Sequence, residues 1–254
     1  MEMAYRSQKT SGVAIVLAGL WLAPALFAQR ELRYEALHDH WRGSGAAKLT
    51  ITGQGISFEE PGKKGKVRHQ GGWTYQDIQE LKLSDKELTI VTYKDRKWRL
   101  GADQQYKFTI AGGHPLREVY SLLKDRLDQR LVAAIADPDV PVLWEIPVKL
   151  LGTVTGSEGI LRAGADHVVY ATESASQSRT WRYQDIENVS TSGPFQLTVI
   201  TFERAKLHYG SLKGFNFQLK QPLDEKRFDL LWRRLNRSKG LEFLTSIQER
   251  STDR

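Results

Sequence analysis

Trp73-Thr-Tyr-Gln-Asp-Ile78 and Trp181-Arg-Tyr-Gln-Asp-Ile186 are one six-residue phrase written twice, 108 residues apart, with five of the six positions identical. Downstream, Leu88-Thr-Ile-Val-Thr-Tyr93 returns as Leu197-Thr-Val-Ile-Thr-Phe202 at an offset of 109. The same register continues through Lys97 and Lys206, Gly101 and Gly210, Tyr106 and Phe215, Phe108 and Phe217, and Val119 and Phe228. Upstream it loosens but survives, with Gly55-Ile-Ser-Phe58 facing His167-Val-Val-Tyr170. A register held that long marks a duplication. Two copies are too few, and the period too long, for a solenoid, so the chain reads as two domains.

Between the copies, residues 137–147 hold three of the eight prolines, which is linker composition. The expected organisation is therefore a first domain over 35–136, a Pro-rich linker over 137–147, a second domain over 148–250 and a tail over 251–254. In the first copy, short β-branched or aromatic runs predict strands at 48–52, 55–60, 66–69, 78–83, 87–93, 97–100 and 106–110. Turn residues at 84–86, 94–96 and 101–103 make neighbours antiparallel, so a seven-stranded meander is expected. Pro115 then opens a helix whose apolar face is Leu116, Val119, Tyr120, Leu123, Leu127 and Leu131. The second copy repeats that ending, with Asp224 and Glu225 at the helix start, Phe228, Leu231, Trp232 and Leu235 on one face, and Arg233 and Arg234 near the end.

The fold class expected is mainly β with C-terminal helices (α+β). Seven antiparallel strands followed by one amphipathic helix, twice, resembles the pleckstrin-homology (PH) superfold. The strand and turn pattern around Trp-x-Tyr-Gln-Asp-Ile looks like the central strands of its bacterial members. The resemblance covers residues of about 35 to 135 and 145 to 248 and implies two tandem partly open barrels, each plugged by its helix. It carries no activity with it.

The N-terminus is a short polar segment with Arg6 and Lys9, then a nearly uncharged apolar run over 13–28. That is the layout of a secretory signal peptide, with small residues for a cut after Ala25 or Ala28. An uncleaved N-terminal anchor is the alternative. Either way the expected location is exported, periplasmic or extracellular. The chain of 254 residues carries a net charge of +7, and loss of Glu2, Arg6 and Lys9 with the leader leaves +6. There is no cysteine, which removes disulfides, thiolate metal sites and a cysteine nucleophile.

Four groups of residues stand out. Lys63, Lys64, Lys66 and Arg68 form a basic loop suited to phosphates or an anionic membrane surface. In lipid-binding PH domains the basic residues flank the loop between the first two strands. Here that connection is expected to be Gly53-Gln-Gly55, so the family's phosphoinositide motif is not matched. Trp73, Tyr75 and Asp77 with Trp181, Tyr183 and Asp185 are expected on one side of an extended strand, as packing and turn formers. His38-Asp-His40 can point two imidazoles one way, but no third ligand is near in sequence, so neither a metal site nor a cofactor is expected. No G-x-S-x-G elbow, phosphate-binding Gly loop, dinucleotide fingerprint or H-E-x-x-H occurs, and no catalytic residue is assigned. Adjacent Glu59 and Glu60 face opposite sides of a strand.

The expected function is that of an exported, non-catalytic binding or scaffold protein that recognises a protein or peptide partner; the resemblance to the PH superfold implies an extended peptide along a sheet edge beside the C-terminal helix. The alternatives are reversible binding to anionic membrane lipid through the basic loop and an enzyme of unrecognised type. A nucleic-acid partner is not expected.

Overall fold

A computed structural model describes residues 31–40, 43–63, 66–96, 99–110, 116–128, 130–152, 156–205 and 211–240. The leader over 1–28, Lys64 and the tail over 251–254 lie outside the described residues. The chain is mostly strand, with two α-helices among the described residues. The strands among the described residues join in one sheet.

The first repeat contains β1 (Leu32–His40), β2 (Gly43–Ile51), β3 (Gly55–Pro61), β4 (Val67–Thr74), β5 (Ile78–Ser84), β6 (Glu87–Arg96), β7 (Arg99–Ile110) and α1 (Leu116–Leu123). After β8 (Leu131–Ala134), the second repeat contains β9 (Val142–Leu151), β10 (Ser157–Gly164), β11 (His167–Ala171), β12 (Arg179–Arg182), β13 (Ile186–Ser190), β14 (Gln196–Arg204), β15 (Leu212–Leu219) and α2 (Glu225–Ser238). The sheet runs β13-β14-β15-β9-β10-β11-β12-β8-β5-β6-β7-β1-β2-β3-β4. Numbered within itself, each repeat has the strand order 4-3-2-1-7-6-5. The seventh strand turns back to pair with the first, so the arrangement is not the simple meander expected.

Each repeat keeps its own core. Leu49, Ile51, Leu81, Leu88, Ile90 and Phe108 pack with Val119 and Leu123 of α1 in the first. Ile146, Leu161, Tyr170, Val199 and Phe217 pack with Leu231 and Leu235 of α2 in the second. The source is alternation: along β14 every second residue from Leu197 to Glu203 turns inward. Asp224 caps α2 by accepting the Arg227 N–H at 2.8 Å, and Gly240, at φ +73, follows its end.

Several expectations need correction. The first strand of the first repeat, β1, is absent from the strands expected, and residues 99–100 and 106–110, expected in two strands, belong to one, β7; Lys97 and Trp98 lie outside the described residues. Both errors cancel in the count of seven. Gly53-Gln-Gly55 therefore joins the second and third strands, and the connection between the first two, residues 41–42, lies outside the described residues. Of the expected linker over 137–147, only 137–141, with Pro138 and Pro141, connects strands, because β9 begins at Val142 and carries Pro147 within it.

The helix of the first repeat stops at Leu123, and Leu131 belongs to β8 rather than to its apolar face. Strand pairing overrides the helical spacing: Leu81, Lys82, Leu83 and Ser84 pair in parallel with Leu131, Val132, Ala133 and Ala134. On its other side β8 meets β12 at Ala133 and Thr180. One four-residue strand thus welds the two repeats into a continuous sheet. Thr180 reinforces the weld, its hydroxyl donating to the Ile135 carbonyl at 2.8 Å and accepting the Asp137 N–H at 2.9 Å.

The repeated phrase is not extended throughout. Its strand ends at Thr74 or Arg182, and Tyr-Gln-Asp forms a single 3₁₀ turn in both copies. Asp77 accepts the Thr74 N–H at 3.0 Å, and Asp185 accepts the Arg182 N–H at 2.9 Å. The Tyr75 hydroxyl donates to the Thr52 carbonyl, and Tyr183 donates to Gly164 at 2.7 Å, so each tyrosine pins the turn between the second and third strands of its repeat. Burial pushes both phenols up to about 12. In Tyr183→Phe the Gly164 carbonyl loses this donor, and chemical denaturation should show a loss of about 1–2 kcal/mol. Tyr75→Phe should lose less, since Tyr75 is only half-buried.

Candidate functional site

The phrase Trp-x-Tyr-Gln-Asp is conserved between the copies in framework and divergent at x, and that divergence couples the repeats. In the first, x is Thr74, whose hydroxyl donates to Asp77 at 2.8 Å on an exposed surface. Those hydrogen bonds, side chain first and backbone second, hold Asp77 below its ordinary carboxylate range. In the second, x is Arg182. Its guanidinium grips Asp185 through Nε at 2.8 Å and Nη2 at 2.6 Å, and reaches the carbonyls of Lys124, Leu127 and Asp128 in the first repeat. Burial pushes the Asp185 carboxyl up, against the pull of Arg182. From the other side, Arg130 donates to the Tyr75 carbonyl at 2.8 Å. The segment after α1 is held by both repeats, and its break from helix leaves the carbonyls that Arg182 needs.

A cleft of about 590 Å³ opens beside this joint. Its walls include Lys124, His167, Tyr183 and Gln184, with Arg234 and Arg237 of α2. The cleft therefore borders α2 and the 3₁₀ turn that precedes β13.

The two free edges of the sheet differ. β4 is one end and is exposed along most of its length. β13 is the other, and among the described residues it pairs only with β14. Helix α2 packs beside it, and Lys239, just beyond that helix, donates to the Glu187 carbonyl. In the first repeat the corresponding edge, β5, is filled by β8.

The basic loop lies between β3 and β4. Lys63, Lys66 and Arg68 border a concavity of about 620 Å³ with Pro61, Gly62 and Val67, and the Gly62 N–H donates to the Lys66 carbonyl at 2.7 Å. No basic group stands in the loop at 173–177 of the second repeat.

His38 and His40 project from the end of β1, and β3 supplies the residue that sequence proximity hid. Glu60, 22 positions beyond His38, places Oε1 2.6 Å from His38 Nδ1 and 2.8 Å from His40 Nε2. Strand pairing makes this contact: β2 lies between β1 and β3. His38 is buried, stacked 4.7 Å from the Phe108 ring and edge-on to Phe58 at 4.8 Å. Burial works against the charge of Glu60, yet the hydrogen bond from His38 and the two histidines' charges outweigh it and hold the carboxyl low. Two imidazoles at i and i+2 were legible, whereas a carboxylate two strands away was not.

Among the described residues no helix is long and apolar enough to cross a membrane. No protein-family model matches the chain, and no curated protein matches it. Among solved structures it is similar to the C-terminal domain of an unknown protein from Leishmania infantum, with 10% identity and a TM-score of 0.29 over 47% of this chain and 94% of that one. It is also similar to the Spt16D Pob3N heterodimer, with 10% identity and a TM-score of 0.27 over 76% of this chain and 97% of that one.

Proposed function

We propose that each repeat is a PH-like domain, and that the protein is an exported, non-catalytic scaffold that takes an extended segment of a partner protein along β13 beside α2. The strand order 4-3-2-1-7-6-5 with a closing helix, present in both halves, supports the domain assignment. One observation carries the binding mode. In the first repeat the fifth-strand edge accepts an added strand, β8, in parallel register; the second repeat presents the same edge with no strand added among the described residues. A peptide there gains backbone pairing from β13 and side-chain contact from α2 and the adjoining cleft.

Charge narrows the partner. Helix α2 carries five basic and two acidic residues, a net charge of +3, whereas the cleft beyond it offers Lys124 beside Asp125 and Asp166, so the positive surface is that of the helix. An extended peptide with alternating apolar side chains and an acidic group toward one end fits that surface.

Selection of displayed random peptides on the full chain tests this reading. The selected sequences should share that pattern and slow amide exchange at 186–190 when bound. Failure to select any sequence, or protection confined to β4, would contradict it. Alanine at Lys63, Lys66 and Arg68 should leave peptide binding unchanged. Co-sedimentation should show no preference for anionic over neutral vesicles; a salt-sensitive preference lost in that variant would assign the protein to membrane surfaces instead.

A further inference from the structure

We propose that His38, His40 and Glu60 form a binding site for one divalent metal ion of the zinc class. The three ligand atoms lie within 4.8 Å of one another, with His38 Nδ1 and His40 Nε2 both directed at Glu60 Oε1. Around a zinc ion at roughly 2.0–2.2 Å from each ligand, such atoms stand somewhat over 3 Å apart, so Glu60 must back away from each imidazole by several tenths of an ångström and the widest pair must draw together by up to about 1.4 Å, within reach of side-chain rotation. Two imidazoles and one carboxylate suit Zn²⁺ and its neighbours Co²⁺, Ni²⁺ and Cu²⁺ better than Mg²⁺ or Ca²⁺, which take oxygen.

Three observations separate this cluster from an ordinary hydrogen-bonded trio. Glu60 is only 2% exposed, yet its second oxygen, Oε2, is buried without a hydrogen-bond partner. A buried carboxylate oxygen left unpaired is costly unless something positive meets it. Next, Gly45 lies across from His38, and a Cβ added there would stand 3.4 Å from His40 Nε2 and 3.5 Å from Glu60 Oε2. The absent side chain leaves room beside both ligands.

The third observation comes from the duplication. His38 pairs with Phe108, and in the second repeat Leu150 pairs with Phe217 at the matching ladder position. By the same pairing, Leu49 opposite Phe58 matches Leu161 opposite Tyr170, so Glu60 corresponds to Thr172 and His40 to Gly152. The scaffold folds with leucine, glycine and threonine at these places; the first repeat has two histidines and a glutamate. Folding does not require that chemistry.

Three protein ligands leave a position for water or an anion, and it faces outward, because the His40 side chain is 33% exposed. His69, paired with Glu60 across β3 and β4, stands beside His40 with ring centroids 5.8 Å apart, within reach of that side by rotation of its side chain. The basic loop that follows Glu60 favours an anion in the open position.

The test is titration of the untagged, chelator-treated full chain with Zn²⁺ by calorimetry and with Co²⁺ by visible absorption. One equivalent should bind with Kd of about 10 μM or tighter, with d–d bands of a four- or five-coordinate site. Zn²⁺ should also raise the melting temperature. His40→Ala and Glu60→Gln should each weaken binding by about 100-fold or more. His38→Leu, which installs the residue that the second repeat already uses, should keep the fold by circular dichroism and abolish the Co²⁺ spectrum. Absence of binding, or binding of equal strength in folded His38→Leu and Glu60→Gln, would overturn the assignment.

Discussion

Replacing Arg182 with alanine should cost about 3–5 kcal/mol of stability and uncouple the two repeats. Its guanidinium is the counter-ion of Asp185, which is 6% exposed, and it also satisfies carbonyls of Lys124, Leu127 and Asp128. Alanine leaves a buried carboxylate without its guanidinium and takes the side-chain donor from the Lys124 and Leu127 carbonyls, while the Asp128 carbonyl keeps the Leu131 N–H; an orphaned buried charge and unpaired buried acceptors both cost heavily. Wild type should unfold in one calorimetric transition, because β8 and this clamp join two separate cores. The variant should show two transitions, with β8 and the partly exposed Arg204–Asp103 ion pair left to couple them. Adding Asp185→Asn to the variant should recover part of the loss, since the orphaned charge is then gone. A single transition with a loss under about 1 kcal/mol, typical of an exposed ion pair, would mean that the clamp is not what couples the repeats.

Glu203→Gln should have a comparable effect inside the second repeat. Glu203 Oε1 accepts from Arg179 Nε at 3.1 Å and Trp181 Nε1 at 3.2 Å, while Oε2 accepts from Lys213 Nζ at 3.1 Å. The Arg179 side chain is 5% exposed, so glutamine preserves shape but leaves that cation buried without its carboxylate, a loss of about 3 kcal/mol or more. Burial opposes the charge on Glu203, but Arg179 and Lys213 outweigh it and hold the carboxyl below the usual range. A carboxyl lowered in the folded state stabilises fully above its unfolded value, about 4.3, and loses that contribution as pH falls through the folded value. Wild-type stability should therefore decline on acidification below about pH 4, with a shallower decline in Glu203→Gln. Equal acid slopes would show that Glu203 does not carry this linkage.

How much of this was written legibly in the chain depends on where each signal lies. The duplication, the strand pairs around Leu88 and Leu197, and the capped start of α2 are local patterns, and local patterns can be read from order alone. β8 was not legible, because Leu131 falls where an apolar helical face would continue; only the unpaired edge of β5 draws it into the sheet. The Tyr-Gln-Asp turn was hidden for a related reason: Trp73, Tyr75 and Asp77 alternate as a strand would, and the capping carboxylate shows its role only in three dimensions. Glu60 belongs to neither class. It reaches His38 and His40 across β2, and a sequence in which β1 is unrecognised offers no register by which to find it. Arg182 stood in plain view as the variable letter of a repeated phrase. Divergence inside an otherwise constant motif was the available signal that this position faces something its counterpart does not.

The fifth-strand edge is filled in the first repeat and, among the described residues, open in the second, and amide hydrogen exchange on the free, full-length protein distinguishes the two. Residues 81–84 of β5, flanked by β6 and β8, should exchange at least about 100-fold more slowly than the outward-facing amides of 186–190 in β13. Fast exchange at β13 with slow exchange at β5 is the predicted result. Equally slow exchange at both would contradict it, because it would mean that β13 is already covered and has no edge to offer a partner.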